Sequence, residues 1–550
     1  MPPGRRITVT TSARLRPTRA ETRWRPGGTP PAFTAEALAE LVRRVRDPIH
    51  VIRCESTGGL GLAVGGEFAP GGSGPEFTLL GTVPGMYPEW LGDRGFCEAH
   101  SVRFPYVAGE MANGIATVGM VSEMARAEMI SFFGAGGLSF DAVERGTAQL
   151  KENVGDVANW GVNLIHSPQE PELENRVAGL LLSQRVPIVS ASAFMDLTPA
   201  VVRCAVSGLT ATPDGQVRRR TRVFAKVSRP EVAERFMAPA PPRILDHLVA
   251  HGEITRHEAE LAARVPVAED ITVESDSGGH TDNRPLGALL PAILGLRDKI
   301  AREHPGMPRV RVGAAGGLGT PDAVASAFAL GAAYVVTGSV NQVAREAGLS
   351  DEAKRMLAAA DLADVTMAPA ADMFELGVKL QVLRRGTMFA ARAAQLYDAY
   401  VGHSGLDDIP AELRRRIERD VLGASFEQIW QLTERFWQQR DPSELTRAAR
   451  DTKHRMALVF RWYLGNSSRW AIDGNPERRT DYQIWCGPAM GAFNRWVAGS
   501  FLADPAERTV VQIAYNLVEG AAALTRAHQL RTYGVPVPDR SFVFPPRRLA

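Results

Sequence analysis

The stretch Glu274-Ser-Asp-Ser-Gly-Gly-His280 directly follows a short run of apolar, β-branched residues. Two more glycine-rich clusters follow similar runs downstream, Gly313-Ala-Ala-Gly-Gly-Leu-Gly319 and Val335-Val-Thr-Gly-Ser339. Small residues therefore follow three successive predicted strands. In a (β/α)8 TIM barrel, the loops after the last strands meet at the carboxyl face, where they hold phosphate groups and supply catalytic side chains. The three clusters predict this α/β fold, with a phosphate site beside a titratable histidine.

Strand and helix patterns alternate from about residue 100 and indicate a parallel sheet with crossover helices. The candidate strands are Arg103–Val107, Met129–Phe133, Trp160–Leu164, Ile188–Ser190, Arg222–Ala225, Ile271–Val273, Val310–Val312 and Tyr334–Val336. The fifth strand has a competitor in Val201–Val206, which is also rich in β-branched residues. The eight candidates suffice for a closed barrel.

We expect four parts along the chain, defined by composition and pattern. Residues 1–33 are expected to be a disordered tail, since the first 28 residues carry seven arginines and several prolines. Residues 34–98 form a small lead-in module and residues 99–345 the barrel, with a helical insertion at 240–268. Residues 346–550 form a helical C-terminal domain, because β-type patterns nearly vanish after residue 340.

The composition excludes several classes of protein. The formal net charge is +2, from 63 basic and 61 acidic residues in a chain of 550. This balance argues against a nucleic-acid or membrane-surface partner. The four cysteines are scattered and form no C-x-x-C pair, so neither a disulfide framework nor a zinc site is predicted, and a cytoplasmic location is the expectation. The arginine-rich start lacks an apolar core, which favours a tail over a secretory signal and leaves an organellar transit peptide as an alternative.

Two of the strand-end clusters are candidates for binding a phosphate group. Gly316 and Gly317 allow main-chain N–H groups to approach an anion, and the helix predicted to start near Pro321 adds its positive end. Gly338 and Ser339 add a second N–H and a hydroxyl from the neighbouring loop. Tight turns between strands and helices also require glycine. Two clusters on consecutive strand ends favour phosphate binding over that explanation.

Four polar side chains near predicted strand ends are further candidates. His280 titrates near neutral pH and could donate a proton, whereas an isolated loop histidine would merely cap or pack. Lys226 at the end of strand 5 is either a partner for an anionic group or an ordinary surface lysine. Asn163 and Asn113 suit a heterocycle with donors and acceptors, or are turn residues.

Other reaction types lack their motifs. The chain contains no G-x-S-x-G, H-E-x-x-H or G-x-x-x-x-G-K-[ST] pattern. No cysteine lies within residues 274–287, which argues against covalent thiol chemistry at this loop. Two aromatic-rich segments, 460–470 and 482–493, are predicted to pack in a core, with an acyl channel or a docking surface as alternatives.

Several motifs resemble a known group of flavin enzymes. Asp276-Ser-Gly-Gly-His280 resembles the E-A-G-G-H segment of the nitronate monooxygenase and FabK-type enoyl reductase superfamily of FMN-dependent barrels. The likeness to the PfaD family of stand-alone enoyl reductases is closer, and it runs from about residue 40 to near residue 535. The segments that carry it are Gly109-Glu-Met-Ala-Asn-Gly-Ile115, Glu274-Ser-Asp-Ser-Gly-Gly-His-Thr-Asp-Asn-Arg-Pro285, Asp364-Val-Thr-Met-Ala-Pro-Ala-Ala-Asp-Met-Phe374, Arg461-Trp-Tyr-Leu-Gly465 and Gln483-Ile-Trp-Cys-Gly-Pro-Ala-Met-Gly491.

The sequence departs from the wider superfamily at two positions of this loop. Its G-H-x-G pattern becomes Gly279-His-Thr-Asp282, and its glutamate becomes Asp276. Both changes resemble the PfaD branch. They favour enoyl reduction over nitronate oxidation.

The resemblance implies an FMN-dependent enoyl reductase that takes hydride from NADPH and reduces the 2,3-double bond of an enoyl thioester. The acyl group would be carried by an acyl carrier protein of a polyketide or polyunsaturated fatty acid synthase, with the reductase acting in trans and a homodimer as one expected assembly. His280 would donate a proton or orient the substrate. The residues implied to bind the cofactor are Ala112, Asn113, Asn163, Lys226, Asp276, Gly278, Gly279, Gly316, Gly317, Gly338 and Ser339. The alternatives are a nitronate monooxygenase-type flavin oxidase and a non-catalytic docking subunit of a synthase complex.

Overall fold

The computed structural model describes residues 22–69, 77–168 and 170–550. These residues divide into two compact units. One unit comprises the described residues up to Tyr87 together with Ala522–Phe544. The other comprises Pro88–Ala521 and Pro545–Ala550. No helix among the described residues is both long enough and apolar enough to cross a membrane.

The first unit is built on a five-stranded antiparallel sheet covered by a helix. The strands in sheet order are Leu60–Ala63, Ile49–Cys54, Phe77–Val83, Arg23–Arg25 and Glu67–Ala69. The helix Ala35–Arg43 begins after Thr34, whose hydroxyl accepts from the Ala37 N–H. Its buried face packs with Ala527 and Leu530.

The expectation of a disordered tail over residues 1–33 is wrong for its last part. Arg23–Arg25 pairs with Glu67–Ala69, and the bridge between Ala32 and Leu62 continues the order. Trp24 explains why this arginine-rich segment folds, because its indole is fully buried and its Nε1–H donates to the Gly65 carbonyl at 2.8 Å. The part of the predicted tail before residue 22 lies outside the described residues.

The second unit contains a closed barrel of eight parallel strands. Numbered one to eight along the chain, they are Tyr106–Ala108, Ile130–Phe133, Trp160–Ile165, Ile188–Ser192, Arg222–Val227, Asp270–Glu274, Arg311–Ala315 and Val335–Thr337. Each overlaps one of the predicted strands, and the predicted TIM barrel is confirmed. The competitor Val201–Val206 lies within the helix Pro199–Val206, because Thr198 caps that helix and Pro199 starts it.

Helices join successive strands and cover the outside of the barrel. They are Val118–Arg126, Phe140–Val154, Pro171–Ser183, Pro199–Val206, Pro230–Met237, Leu286–Glu303 and Pro321–Ala329. A further helix, Arg94–His100, precedes strand 1, and its Phe96 packs with Phe132 and Phe224 of the barrel strands. Two helices, Pro242–Ala250 and Arg256–Ala262, precede strand 6 within the predicted insertion. A short hairpin pairs Thr210–Ala211 with Val217–Arg218.

The region after residue 345 is mostly helical and also contains two strands. Its helices are Asp351–Ala358, Phe389–Gly402, Ala411–Ile417, Phe426–Arg440, Pro442–Ala448, Thr452–Asp473, Ala489–Val497 and Val510–Thr532. Strands Val365–Pro369 and Lys379–Leu383 form an antiparallel sheet with Gly279–His280. The local pattern does not reveal this sheet, because its third strand belongs to the loop after barrel strand 6.

A buried ion cluster lies at the amino-terminal ends of strands 6 and 7. Arg311 donates to Asp270 through Nε at 2.7 Å and Nη2 at 2.8 Å, and His100 Nε2 lies 2.9 Å from Asp270 Oδ2. Asp270 and His100 are fully buried. Burial alone would raise the pKa of Asp270, but the charges and hydrogen bonds of His100 and Arg311 outweigh it and lower that pKa. The carboxylate is therefore held in its charged form.

We expect Arg311→Met to lower the free energy of unfolding by about 3 kcal/mol, because it removes one partner of a buried carboxylate. Chemical denaturation at neutral pH measures the change. Arg309→Met is the matched control, since Arg309 is 63% exposed and pairs with Asp298 at the surface. The control is expected to change stability by no more than about 0.5 kcal/mol. Equal effects of both variants would contradict the assignment.

Candidate functional site

A cavity of about 1520 Å³ lies at the carboxyl ends of the barrel strands. Its wall combines the loops after the strands with the helices Phe426–Arg440 and Thr452–Asp473. The lining includes the following predicted residues: Ala112, Asn113, Asn163, Lys226, Gly278, Gly279, His280, Gly316, Gly317, Gly338 and Ser339. Within the described residues, no group of three His, Cys, Asp or Glu side chains is arranged to hold a metal ion.

The glycines after strands 7 and 8 form a cradle at one side of the cavity. Gly316 has φ +90°, and a Cβ at this position would lie 2.5 Å from Ser275 Oγ, so only glycine fits. Gly317 has φ +72°, and a Cβ there or at Gly338 would meet nothing within 4 Å. The space above these two glycines is open to a ligand.

The C-terminal aromatic segment 482–493 completes this side of the cavity. The Gly487 N–H donates to Ser339 Oγ at 3.1 Å, which fixes the predicted phosphate-binding hydroxyl. A Cβ at Gly278 would lie 2.8 Å from the Cys486 nitrogen, so the two backbones are in direct contact. Trp485 and Trp462 lie at the cavity wall, whereas Tyr463 is fully buried in a core. The aromatic segments thus both pack and line the cavity.

Lys226 lies between two carboxylates at the ends of strands 1 and 6. Its Nζ is 3.1 Å from Glu274 Oε1 and 3.4 Å from Glu110 Oε1. Burial would lower the pKa of Lys226, but the charges of Glu274 and Glu110 outweigh burial and raise it above its ordinary value. The lysine is therefore a fixed positive charge at the cavity wall. Both carboxylates depend on it for compensation.

His280 faces an aspartate from the added sheet. Its Nε2 lies 3.1 Å from Asp372 Oδ1, and both residues line the cavity. Burial lowers the pKa of His280, but the hydrogen bond and charge of Asp372, together with the charge of Glu274, outweigh it and raise that pKa. Pairing of Gly279–His280 with the strand Lys379–Leu383 orients the ring. The arrangement favours the protonated ring of His280. Asp372 contacts Nε2 and leaves Nδ1 without a hydrogen bond to this aspartate.

Asp282, which stands where the wider superfamily has glycine, makes specific side-chain contacts. Asp282 accepts from Arg229 Nε at 2.9 Å and from Ser228 Oγ at 2.8 Å. The hydrogen bond from Arg229 is the largest cause of a lowered pKa at Asp282. The aspartate thus joins the loop after strand 6 to the start of the helix Pro230–Met237.

Asp276 is held by hydrogen bonds from the added sheet and from its own loop. It is absent from the described lining of the cavity, and its Oδ1 accepts from Gln381 Nε2 at 2.8 Å and from Asn283 Nδ2 at 3.0 Å. Gln381 also donates to the Ser277 carbonyl at 2.7 Å. We therefore assign Asp276 to holding the glycine-rich loop against the added sheet.

Asn163 and Asn113 both lie at the cavity, in different conformations. Asn163 is 2% exposed, and its Nδ2 donates to the Ser190 carbonyl and to Ser192 Oγ on strand 4. Its Oδ1 is left as the acceptor. Asn113 has φ +56°, a left-handed turn conformation that asparagine tolerates, so it positions the loop after strand 1.

Sequence reasoning named no role for several residues of this site. They are Glu110, His166, Glu174, Glu274, Asp372, Gln381 and Gly487. Four of these residues lie within motifs that carry the family resemblance and could have been found from them: Glu110, Glu274, Asp372 and Gly487. The other three lie outside these motifs, and only the tertiary structure reveals their partners: His166, Glu174 and Gln381.

Comparison with known proteins identifies the family. The enoyl reductase domain of MlnA, from the macrolactin biosynthesis cluster of Bacillus amyloliquefaciens, is 33% identical; the match covers 81% of this chain and 99% of that domain, with a TM-score of 0.77. The chain belongs to the family of this enoyl reductase domain.

Longer proteins contain a similar region. One of the polyunsaturated fatty acid synthase subunits of Thraustochytrium sp. is 45% identical over 467 residues, which cover 83% of this chain and 31% of that protein. Polyketide biosynthesis protein PksE of Bacillus subtilis is 41% identical over 449 residues, which cover 82% of this chain and 58% of that protein. The chain thus spans less than two thirds of either relative. Residues 403–482 match the inserted helical domain of [acyl-carrier-protein] S-malonyltransferase.

Proposed function

We propose that this protein is a PfaD-type, FMN-dependent enoyl reductase that uses NADPH to reduce the 2,3-double bond of an enoyl thioester. The observation that carries the proposal is one cavity that joins the glycine cradle, Lys226 and His280. Membership in the family of an enoyl reductase domain supports the reaction type. We infer the carrier from the relatives, whose names place them in polyketide and polyunsaturated fatty acid synthesis. The acyl group would then be tethered to an acyl carrier protein, with the reductase acting in trans.

The residues at the cavity fit FMN. The open space at Gly317 and Gly338 admits a phosphate group close to the main chain, and Ser339 offers a hydroxyl there. Asn113, Asn163 and Lys226 line the same cavity and would hold the ring or the ribityl chain. The ammonium of Lys226 would stabilise negative charge on a bound ring system. FMN, when bound, would accept hydride from NADPH and deliver it to the β-carbon of the alkene.

His280 would supply the proton that completes the reduction. Hydride addition at the β-carbon leaves enolate charge on the thioester, and the α-carbon then needs a proton. Asp372 accepts a hydrogen bond from Nε2–H of His280. Nδ1 of the imidazolium is therefore the atom that would deliver the proton to the α-carbon. The helices Phe426–Arg440 and Thr452–Asp473 add apolar side chains to the wall, among them Phe436 and Trp462, which would exclude water from the alkene.

Purification and anaerobic reduction test the proposal. We expect a yellow protein whose FMN is bleached by NADPH and restored by a 2-enoyl thioester, with the saturated thioester as product. A protein that cannot be loaded with FMN would contradict the enzyme and support a docking subunit. Rapid oxygen uptake with nitronates, and no enoyl reduction, would instead support the flavin oxidase.

Asp372→Asn is expected to move the loss of activity at high pH to lower pH. The carboxylate raises the pKa of His280, so its removal lets the ring lose its proton earlier as pH rises. The profile of kcat for enoyl reduction against pH measures the shift. Asp298→Asn, at the surface of the helix Leu286–Glu303, is the control and is expected to leave the profile in place. Coincident profiles for Asp372→Asn and the unmodified protein would remove Asp372 from the mechanism.

A further inference from the structure

A second histidine lies on the cavity wall and has no role in the chemistry above. His166 follows strand 3 directly, and its main-chain N–H donates to the Ser192 carbonyl at the end of strand 4 at 3.0 Å. Strands 4 and 5 separate strand 3 from strand 6 in the barrel, so His166 and His280 approach the cavity from different sides of its mouth.

A buried carboxylate fixes the ring of His166. Its Nδ1 lies 2.7 Å from Glu174 Oε2, and the Glu174 side chain is 4% exposed. The same carboxylate accepts from Thr198 Oγ1 at 2.5 Å and from the Ser167 N–H at 3.4 Å. Since Nδ1 is hydrogen-bonded to Glu174, Nε2 is the ring nitrogen left for a ligand. Nothing in the described parts of the chain hydrogen-bonds this Nε2.

The Glu174 carboxylate contacts no lysine or arginine among the described residues. Throughout residues 22–69, 77–168 and 170–550, no Lys or Arg nitrogen lies within 4.0 Å of the Glu174 carboxylate. Buried carboxylates are normally paired, and the His166 ring is the titratable side chain in contact with this one. A ring with a proton on each nitrogen would offer Nε2 as a donor to an acceptor on the ligand.

Apolar side chains lie beside His166. Phe194 stacks on the ring with centroids 5.0 Å apart and planes 25° apart. The cavity lining combines the apolar Leu173, Val177 and Phe436 with the polar Ser167, Glu170 and Arg440. An apolar surface with a few placed polar groups is typical of a site for a small organic ligand. An acyl thioester, with a hydrocarbon chain and one carbonyl oxygen, has this chemistry.

We propose that His166 binds the carbonyl oxygen of the acyl thioester and that Glu174 is its positioning residue. This inference rests on the proposed function, because it assigns a substrate contact in the same cavity. His166 would hold the acyl group while His280 delivers a proton to the α-carbon. The nicotinamide half of the cycle does not require it.

The test separates binding of the thioester from reduction of the flavin. In the FMN-loaded protein, binding of the saturated butanoyl thioester of N-acetylcysteamine is followed by the change in flavin absorbance. We expect His166→Phe to weaken this binding and to raise KM for the 2-butenoyl thioester roughly five- to tenfold, the loss of one hydrogen bond. Flavin reduction by NADPH is expected to stay within about twofold of the unmodified rate.

Three further variants make the result decisive. His166→Gln keeps a side-chain N–H donor and is expected to recover part of the affinity. Glu174→Gln keeps an acceptor for Nδ1 but removes the charge, so weaker binding than in the unmodified protein is expected. His257→Phe makes the same replacement at a side chain that is 67% exposed and is expected to change nothing. Thermal unfolding with FMN bound shows that each variant is folded.

The outcomes distinguish this inference from the proposed function. Unchanged thioester binding in both His166 variants would overturn the role of His166, while enoyl reduction by the unmodified protein would stand. A slower reduction by NADPH with normal thioester binding would also overturn it and would place His166 on the nicotinamide side. An unmodified protein that neither binds nor reduces the thioester would overturn the proposed function itself.

Discussion

Lys226→Met is expected to leave the protein unable to retain FMN. The change removes the positive charge between Glu110 and Glu274, whose side chains are 6% and 16% exposed. Two carboxylates then face the cavity without compensation, and any developing negative charge on a ligand is repelled. We expect FMN affinity to fall roughly 100-fold and the unloaded protein to lose about 2–3 kcal/mol of stability. Fluorescence titration with FMN and chemical denaturation measure the two effects.

Two variants identify the cause of that loss. Lys226→Arg keeps the charge and is expected to keep most of the stability, though not the same geometry. Lys226→Met combined with Glu274→Gln removes one of the unpaired charges, so stability is expected to recover in part. Lys299→Met, at a surface lysine 54% exposed, is the control for loss of a lysine. FMN affinity within twofold of the unmodified value in Lys226→Met would contradict the proposed contact.

His280→Ala is expected to slow enoyl reduction by 10²- to 10³-fold, the usual effect of removing a positioned proton donor. In the proposed cycle, reduction of FMN by NADPH does not use this proton. Reduction of bound FMN by NADPH is therefore expected to continue near the unmodified rate. Stopped-flow absorbance separates the two half-reactions, with reduced enzyme mixed against a 2-enoyl thioester.

The control for this variant is His257→Ala, which removes an exposed histidine from the inserted helix Arg256–Ala262. It is expected to leave both half-reactions unchanged. If His280→Ala reoxidises with the thioester as fast as the unmodified protein, solvent or another group supplies the proton. His280 would then only orient the substrate. Equal slowing of both half-reactions would indicate a general effect on the cavity.

The barrel could be predicted from the sequence because its signals are local. The strands are short, mostly apolar runs, and four of the helices that follow them begin at Pro171, Pro199, Pro230 and Pro321. The added sheet could not be predicted in the same way. The strand Lys379–Leu383 owes its place to Gly279–His280, which lies about 100 residues earlier in the chain. Pairing over that distance leaves no periodic signal in a sequence window.

The candidate site likewise has parts that the sequence predicts and parts that it does not. The glycines and the loop histidine were predicted because few residue types suit a strand-end turn or proton transfer at neutral pH. The side chains that contact the histidines were not predicted. Asp372 and Glu174 reach His280 and His166 from other elements, and a lone carboxylate in a sequence gives no indication of which histidine it will face. Asp276 accepts from Gln381 of the added sheet, a contact that its motif does not indicate.

The backbone contact between Gly278 and Cys486 bears on when the protein becomes competent during synthesis. The two positions are about 200 residues apart, so the ribosome needs roughly 10–40 s to make the second after the first, at ~5–20 residues per second. The eight barrel strands are all complete by Thr337 and have time to pair before Gly487 emerges to fix Ser339. The nascent barrel therefore lacks part of its cavity wall, and the cavity is completed only after the C-terminal region has been synthesised.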